Sequence, residues 1–264
     1  MSDFLARIAA HKHQEVLRRA AERPLDEVRA AAAAAPPPRD FRRALAGPAP
    51  RLIAEIKRVS PAKGALNPDL SPASMARTYA AAGAHALSVL TDEEFFKGSD
   101  ADLVEARAAV ELPVLRKDFV VSPYQVYEAR ALGADAVLLI VALLEPQQLV
   151  ELHLLAAELG LAALVEVHSP HEVEPALAAG AVLVGINNRD LTTFQVDLAA
   201  TEAVRPLLPP TVTVVSESGI ATADDVRRAL AAGASAILVG EALVTAPDPA
   251  ARLAELLGAV AWCR

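Results

Sequence analysis

Eight short apolar runs, each followed by a helical pattern, constrain this chain more than any other feature. They are "LIAEIK" (52–57), "ALSVL" (86–90), "PVLRK" (113–117), "AVLLIV" (136–141), "AALVEV" (162–167), "VLVGIN" (182–187), "VTVVSE" (212–217) and "AILVG" (236–240). Their starts step by 34, 27, 23, 26, 20, 30 and 24 residues, with Ala-rich stretches such as "SPASMARTYAAAG" and "TADDVRRALAAGAS" between them. That alternation implies parallel strands with helical crossovers. Eight such units in about 210 residues predict a single (β/α)8 TIM barrel. A doubly wound sheet is the competitor, but its first strand more often opens a Gly-rich dinucleotide turn. Here the first strand leads into "KRVSPAKG" instead. "AAGAHAL", "ALGADAV", "AAGAVLV" and "AAGASAI" repeat one helix-to-strand turn with glycine in the capping position, which is a structural use of glycine.

Upstream of the barrel, residues 3–29 read as an amphipathic helical stretch, with Phe4, Leu5, Ile8, Val16 and Leu17 on one face. It runs into "AAAAAAPPP" (Ala30–Pro38), where three prolines end any helix. Residues 1–38 are therefore expected to be an N-terminal arm and connector packing on a catalytic barrel of residues 39–264, the whole being one structural domain. The net charge of −8 argues against nucleic acid as a partner. The lone cysteine, Cys263, allows no internal disulfide, and neither a signal peptide nor a membrane span is legible. A cytoplasmic protein is the expectation.

In such a barrel the active site forms at the C-terminal ends of the strands, so charge placed there is informative. Strand one alternates, putting Ile53, Glu55 and Lys57 on one face and Leu52, Ala54 and Ile56 on the other. If the apolar face meets the helices, the carboxylate and the ammonium point into the barrel mouth. Strand three ends in Lys117, strand five in Glu166, strand six in Asn187 followed by Arg189, and strand seven in Glu217. A solvated rim is the plain alternative, yet a rim would use arginine as readily as lysine. Of the 25 cations only five are lysine (Lys12, Lys57, Lys63, Lys97 and Lys117), which leaves 20 arginines. Lysine offers what arginine cannot, a compact ammonium able to give up its proton. Strands seven and eight run into "SESGI" and "LVGEAL", where Ser218–Gly219 and Gly240–Glu241 suit an anion site, and Ser60 after strand one can add a hydroxyl. His168 and His171 have H-x-x-H spacing with no third ligand nearby, so they read as helix-start residues and no metal is expected.

The motifs "IAEIKRVSPAKG", "SVLTDEEFFKGS", "PVLRKDF", "LVEVH", "GINNRDL", "SESGI" and "ILVGEAL" closely resemble, in order and over essentially the whole chain, those of indole-3-glycerol phosphate synthases of tryptophan biosynthesis. The resemblance implies a cofactor-free barrel. It would close the ring of 1-(2-carboxyphenylamino)-1-deoxyribulose 5-phosphate with loss of carbon dioxide and water. It makes Lys117 the general acid at the ketone oxygen and Glu166 the carboxyl group of the later dehydration. Glu55 and Lys57, with Asn187 and Arg189, would hold the anthranilate carboxylate and the ribulose hydroxyls, and Lys57 is a second candidate acid. Glu217 and Ser218 complete the polar mouth. Ser60, Gly219, Gly240 and the amide of Glu241 would cradle the phosphate, and Pro61, Phe96, Phe119 and Leu138 would line the aromatic pocket. Glu241 departs from the pattern, since some relatives carry serine there; its side chain must turn away from a phosphate.

On the residues alone, another phosphosugar barrel remains open: an isomerase, a Schiff-base aldolase, or a non-catalytic phosphate-binding barrel. The isomerase would show a Cys–Asp or Asp–Asp pair at its strand ends, which is not found here. Expected partners are a small phosphosugar substrate and neither nucleic acid nor membrane. A monomer is expected, with weak self-association left open.

Overall fold

A computed structural model describes residues 3–191 and 193–260, so Cys263 falls outside the described residues. The eight runs form strands β1 (Arg51–Ile56), β2 (Ala86–Leu90), β3 (Val114–Lys117), β4 (Ala136–Ile140), β5 (Ala162–Val167), β6 (Leu183–Asn187), β7 (Thr213–Glu217) and β8 (Ala236–Val239). Each pairs in parallel with its sequence neighbours, and β8 pairs with β1 to close the barrel. The ends shift slightly from the expected runs. Lys57 lies one residue past β1, and Val141 opens a short 3-10 turn, Val141–Leu143. Val, Leu, Ile and Ala carry the core, which is continuous from strand to strand and out to the helices.

Local chemistry fixes where the helices begin and end. Ser71, Ser122 and Asp248 each accept a backbone N–H bond at the start of a helix that opens on proline: Pro72–Ala81, Pro123–Ala131 and Pro249–Leu257. Thr222 and Asp225 form a reciprocal capping box at Ala223–Ala231. At the repeated helix-to-strand turn, Gly83, Gly133, Gly180 and Gly233 all have positive φ, as that turn predicts. Among the described residues no helix is long and apolar enough to cross a membrane.

The arm differs from the single helical stretch read over residues 3–29. It is two helices, α1 (Asp3–Glu22) and α2 (Leu25–Ala34). The break falls before Pro24, which lacks an N–H and holds an extended ψ of 149°. The alanines continue α2 to Ala34, so only the residues next to the three prolines are extended; Ala35, before Pro36, has ψ 149°. Leu5 and Ile8 are buried, but Leu17 is 64% exposed and does not share their face.

Past Ile8, α1 is held by charge. Lys12 is fully buried, and its Nζ lies 2.8 Å from Asp92 Oδ2, 2.8 Å from Asp118 Oδ1 and 3.0 Å from Glu15 Oε2. Burial opposes its charge, yet Asp118 and Asp92 overcome this and raise its pKa above the ordinary lysine value. Two turns on, Arg19 bonds Asp100 at 2.6 Å and Glu128 at 3.0 Å, and the fully buried Arg116 of β3 bonds the same two carboxylates. The arm is thus keyed to the segments after β2 and β3, at the C-terminal end of the barrel.

Candidate active site

The C-terminal mouth of the barrel holds a cavity of about 880 Å³. Every site residue expected from the sequence lines it. Glu55, Lys57, Lys117, Leu138, Glu166, Asn187 and Glu217 come from strands or their ends, and Ser60, Pro61, Phe96, Phe119, Arg189, Ser218, Gly219, Gly240 and Glu241 from the loops that follow. Strand alternation explains the convergence. Parallel strands in register present every second side chain inward, so a charged residue at each C-terminal end meets the others across the barrel axis. The register sets Asn187 beside Glu217, and Glu55 beside Ser88, whose hydroxyl donates to Glu55 Oε2 at 3.4 Å.

Lys117 is the centre of this arrangement. Its Nζ donates to Glu166 Oε2 at 2.7 Å and to Glu217 Oε2 at 2.9 Å. Burial disfavours the ammonium, but Glu166, Glu217 and Glu55 more than offset that and hold its pKa above the usual lysine range. The two carboxylates are pushed apart. Burial alone would raise Glu166, yet Lys117 and His168 hold it well below the ordinary carboxylate value. Glu217 is raised, to about 7, because burial dominates and the neighbouring Glu166 charge adds to it. One Glu217 oxygen, Oε1, is buried without a hydrogen-bond partner. Two carboxyl groups with opposite shifts, sharing one ammonium, are a ready acid–base set. Next to this set, Lys57 Nζ donates to Glu55 Oε1 at 2.7 Å.

Two glycines are required by these side chains. A Cβ at Gly185 of β6 would strike Glu217 Oε1, and one at Gly240 would strike Glu55 Oε1 and come within 3.0 Å of Lys57 Nζ. Gly240 therefore makes room for the Glu55–Lys57 pair, a constraint beyond the backbone approach to phosphate expected from the sequence. Gly219 and Ser218 both have positive φ, 81° and 65°. A left-handed serine is strained, and such strain persists where neighbours hold it. Here the neighbour is Asn188, whose Nδ2 lies within 3.0 Å of Ser216 Oγ and of the carbonyls of Glu217 and Ser218. Glu241 has its carboxylate bonded to Lys63 Nζ at the rim, so the side chain that departs from the family pattern is neutralised.

Several lining residues went unread in the sequence. Phe4 and Leu5 reach the cavity from α1, and Phe194 reaches it from the segment after β6. Their rings interlock: Phe4 packs edge-on against Phe194 at 5.0 Å and Phe95 at 6.0 Å, and Phe119 contacts Phe95 and Phe96. The only signal for Phe4 was its place on the apolar face of the arm, which says that it is buried but not against what. His168, read as a helix-start residue, lies behind Glu166, with Nε2 3.2 Å from Glu166 Oε1. Among the described residues no group of three or more His, Cys, Asp and Glu is arranged to hold a metal ion.

Comparison with known proteins gives a consistent picture. A family model described as indole-3-glycerol phosphate synthase matches residues 5–256. The indole-3-glycerol phosphate synthase of Roseiflexus castenholzii is 51% identical, covering 98% of this chain and 99% of its own. That of Chromobacterium violaceum is 50% identical over 97% of this chain and 98% of its own. Among solved structures, a thiamine phosphate pyrophosphorylase from Pyrococcus furiosus superposes with a TM-score of 0.61 at 20% identity, over 80% of this chain and 95% of its own. A 3-hexulose-6-phosphate synthase gives the same TM-score at 18% identity, over 79% and 99%. At such identities these two similarities speak to the fold alone.

Proposed function

The chain belongs to the indole-3-glycerol phosphate synthase family, and we propose that Lys117, Glu166 and their neighbours carry the family's chemistry here. That chemistry converts 1-(2-carboxyphenylamino)-1-deoxyribulose 5-phosphate into indole-3-glycerol phosphate by ring closure, decarboxylation and dehydration. The observation that carries the assignment is the Lys117 ammonium held between two buried carboxylates on the cavity wall.

In the first step the ring carbon bearing the carboxylate attacks the ketone carbon. The carbonyl pair moves to oxygen, which takes a proton from Lys117. The flanking carboxylates keep that lysine protonated, and the developing alkoxide is basic enough to take the proton. Carbon dioxide then departs, and its bonding electrons restore the aromatic ring. In the last step the new hydroxyl leaves as water with a proton from Lys57, while Glu166 accepts the proton released from the adjacent methylene carbon. Lys117 and His168 keep this carboxylate ionised, so it is in the state that can accept a proton.

Glu55, Asn187 and Arg189 orient the substrate's carboxylate and hydroxyls in this reading, with Glu217 and Ser218 completing the polar wall. Ser60, Gly219, Gly240 and the Glu241 amide receive the phosphate. Pro61, Phe96, Phe119 and Leu138 pack the anthranilate ring. The acidic charge and single cysteine support a cytoplasmic setting. The test is the appearance of indole absorbance or fluorescence from the carboxyphenylamino substrate. Absence of product from folded protein refutes the reading.

A further inference from the structure

We propose that His168, gripped from behind by Glu172, is a positioning residue that fixes the carboxylate of Glu166 for its proton transfer. This rests on the reading of Glu166 as the base of the dehydration step. His168 follows the last residue of β5 and does not line the cavity, so it acts through Glu166 and not on substrate. Its side chain is two positions from that of Glu166, which extended backbone places on the same side.

Both ring nitrogens face carboxylates. Nε2 lies 3.2 Å from Glu166 Oε1, and Nδ1 lies 3.3 Å from Glu172 Oε2. Glu172 is itself held, since Oε2 accepts the His168 backbone N–H at 2.8 Å and Oε1 accepts the Ser169 hydroxyl at 3.4 Å. A neutral imidazole has one N–H and one lone pair, and the lone pair would point at an anion. Only the imidazolium suits both neighbours. Burial opposes that charge, but the two carboxylates raise the pKa to about 10.

The consequence for Glu166 is geometric. Lys117 alone holds one oxygen, Oε2, and leaves the carboxylate plane free to turn. The imidazolium sits 3.2 Å from Oε1 as an ion-pair contact without hydrogen-bond geometry, and this second positive charge favours one setting of the plane and keeps both oxygens charged. The whole brace is written in seven residues, "EVHSPHE" (166–172), because the Pro170–Glu172 turn folds Glu172 back onto the histidine.

The test is a comparison of step-specific defects. His168→Leu should lower kcat roughly 10–100-fold, as for a base displaced by about an ångström, with KM changed less than about threefold. It should stall at the same step as Glu166→Gln, detected by rapid quench as a species that has lost carbon dioxide but not water. His168→Gln, whose amide N–H can reach Glu166 Oε1, should recover much of the loss. Glu172→Gln, away from the cavity, should show a weaker defect at the same step. Wild-type kcat in His168→Leu, a rise in KM alone, or a stall at a different step from Glu166→Gln would overturn the brace. If His168→Leu does not fold, wild-type kcat in Glu172→Gln overturns it equally. Should Glu166→Gln itself stall before decarboxylation, the base assignment falls. The brace then stands or falls on whether His168→Leu stalls at that same earlier step.

Discussion

Lys117→Met keeps most of the side-chain volume and removes only the ammonium, so it isolates what that charge does. Glu166 and Glu217, 2% and 1% exposed, then face each other without the cation that each bonded. Breaking a buried ion pair by removing one partner costs about 3–5 kcal/mol. For a chain of this length that is a Tm decrease on the order of 10 °C. The loss should depend on pH in a definite direction. In the wild type, Glu166 has a lowered pKa, so its stabilising share is present above the ordinary carboxylate value and is lost as pH falls through its folded value. In the variant, burial and the repulsion between Glu166 and Glu217 favour protonation of the pair, so a proton is taken up at higher pH than in the wild type. The Tm gap between the two proteins should therefore be widest at pH 7–8 and shrink toward pH 4. Activity should drop at least roughly 10²-fold in kcat, the lower range for a positioned proton donor. Lys117→Arg should be as inactive, because guanidinium does not give up its proton. Borohydride added during wild-type turnover should leave the protein mass unchanged, since a general acid forms no adduct. A substrate-sized increment on the Lys117 peptide would refute the general-acid reasoning in favour of an iminium. A Tm gap independent of pH would refute the electrostatic part.

Gly240→Val should lower kcat as well as raise KM, because its side chain would displace the Glu55–Lys57 pair; a pure KM effect would mean that only the phosphate feels the change. Glu217 has a raised pKa near 7, so its contribution to stability is fully present below the ordinary carboxylate value and lost as pH rises through about 7. In Glu217→Gln the fall in Tm between pH 5 and 8 should accordingly be smaller than in wild type, which thermal melts at fixed ionic strength will check. Exhaustive chelation should leave turnover unchanged; activity lost on chelation and restored by a divalent ion would contradict the lysine–glutamate mechanism.

Barrel closure, the strand positions and twelve of the sixteen cavity residues were legible because they follow from period and sequence order; Pro61, Phe96, Phe119 and Leu138 came only from the family resemblance. A buried parallel strand needs a continuous apolar run, and a charged residue at its end has one place to go. Glycine in a positive-φ turn and serine before proline likewise report local backbone geometry, which short stretches of chain decide. The family motifs added roles that patterning could not supply. What the sequence left open concerns pairs of residues far apart in the chain. Lys12 looked like one more charge on an arm, and only the packing of α1 on the barrel mouth brings it against Asp92 and Asp118. Phe4 meets Phe194 for the same reason. Gly240 read as a phosphate turn, yet its missing Cβ leaves room for a carboxylate from β1. His168 carried no periodicity and an H-x-x-H spacing without a third ligand, so its role stayed hidden until the turn after β5 placed Glu172 on one ring nitrogen and Glu166 on the other. Periodicity records which way a side chain faces; what it faces depends on contacts that exist only once the barrel has closed.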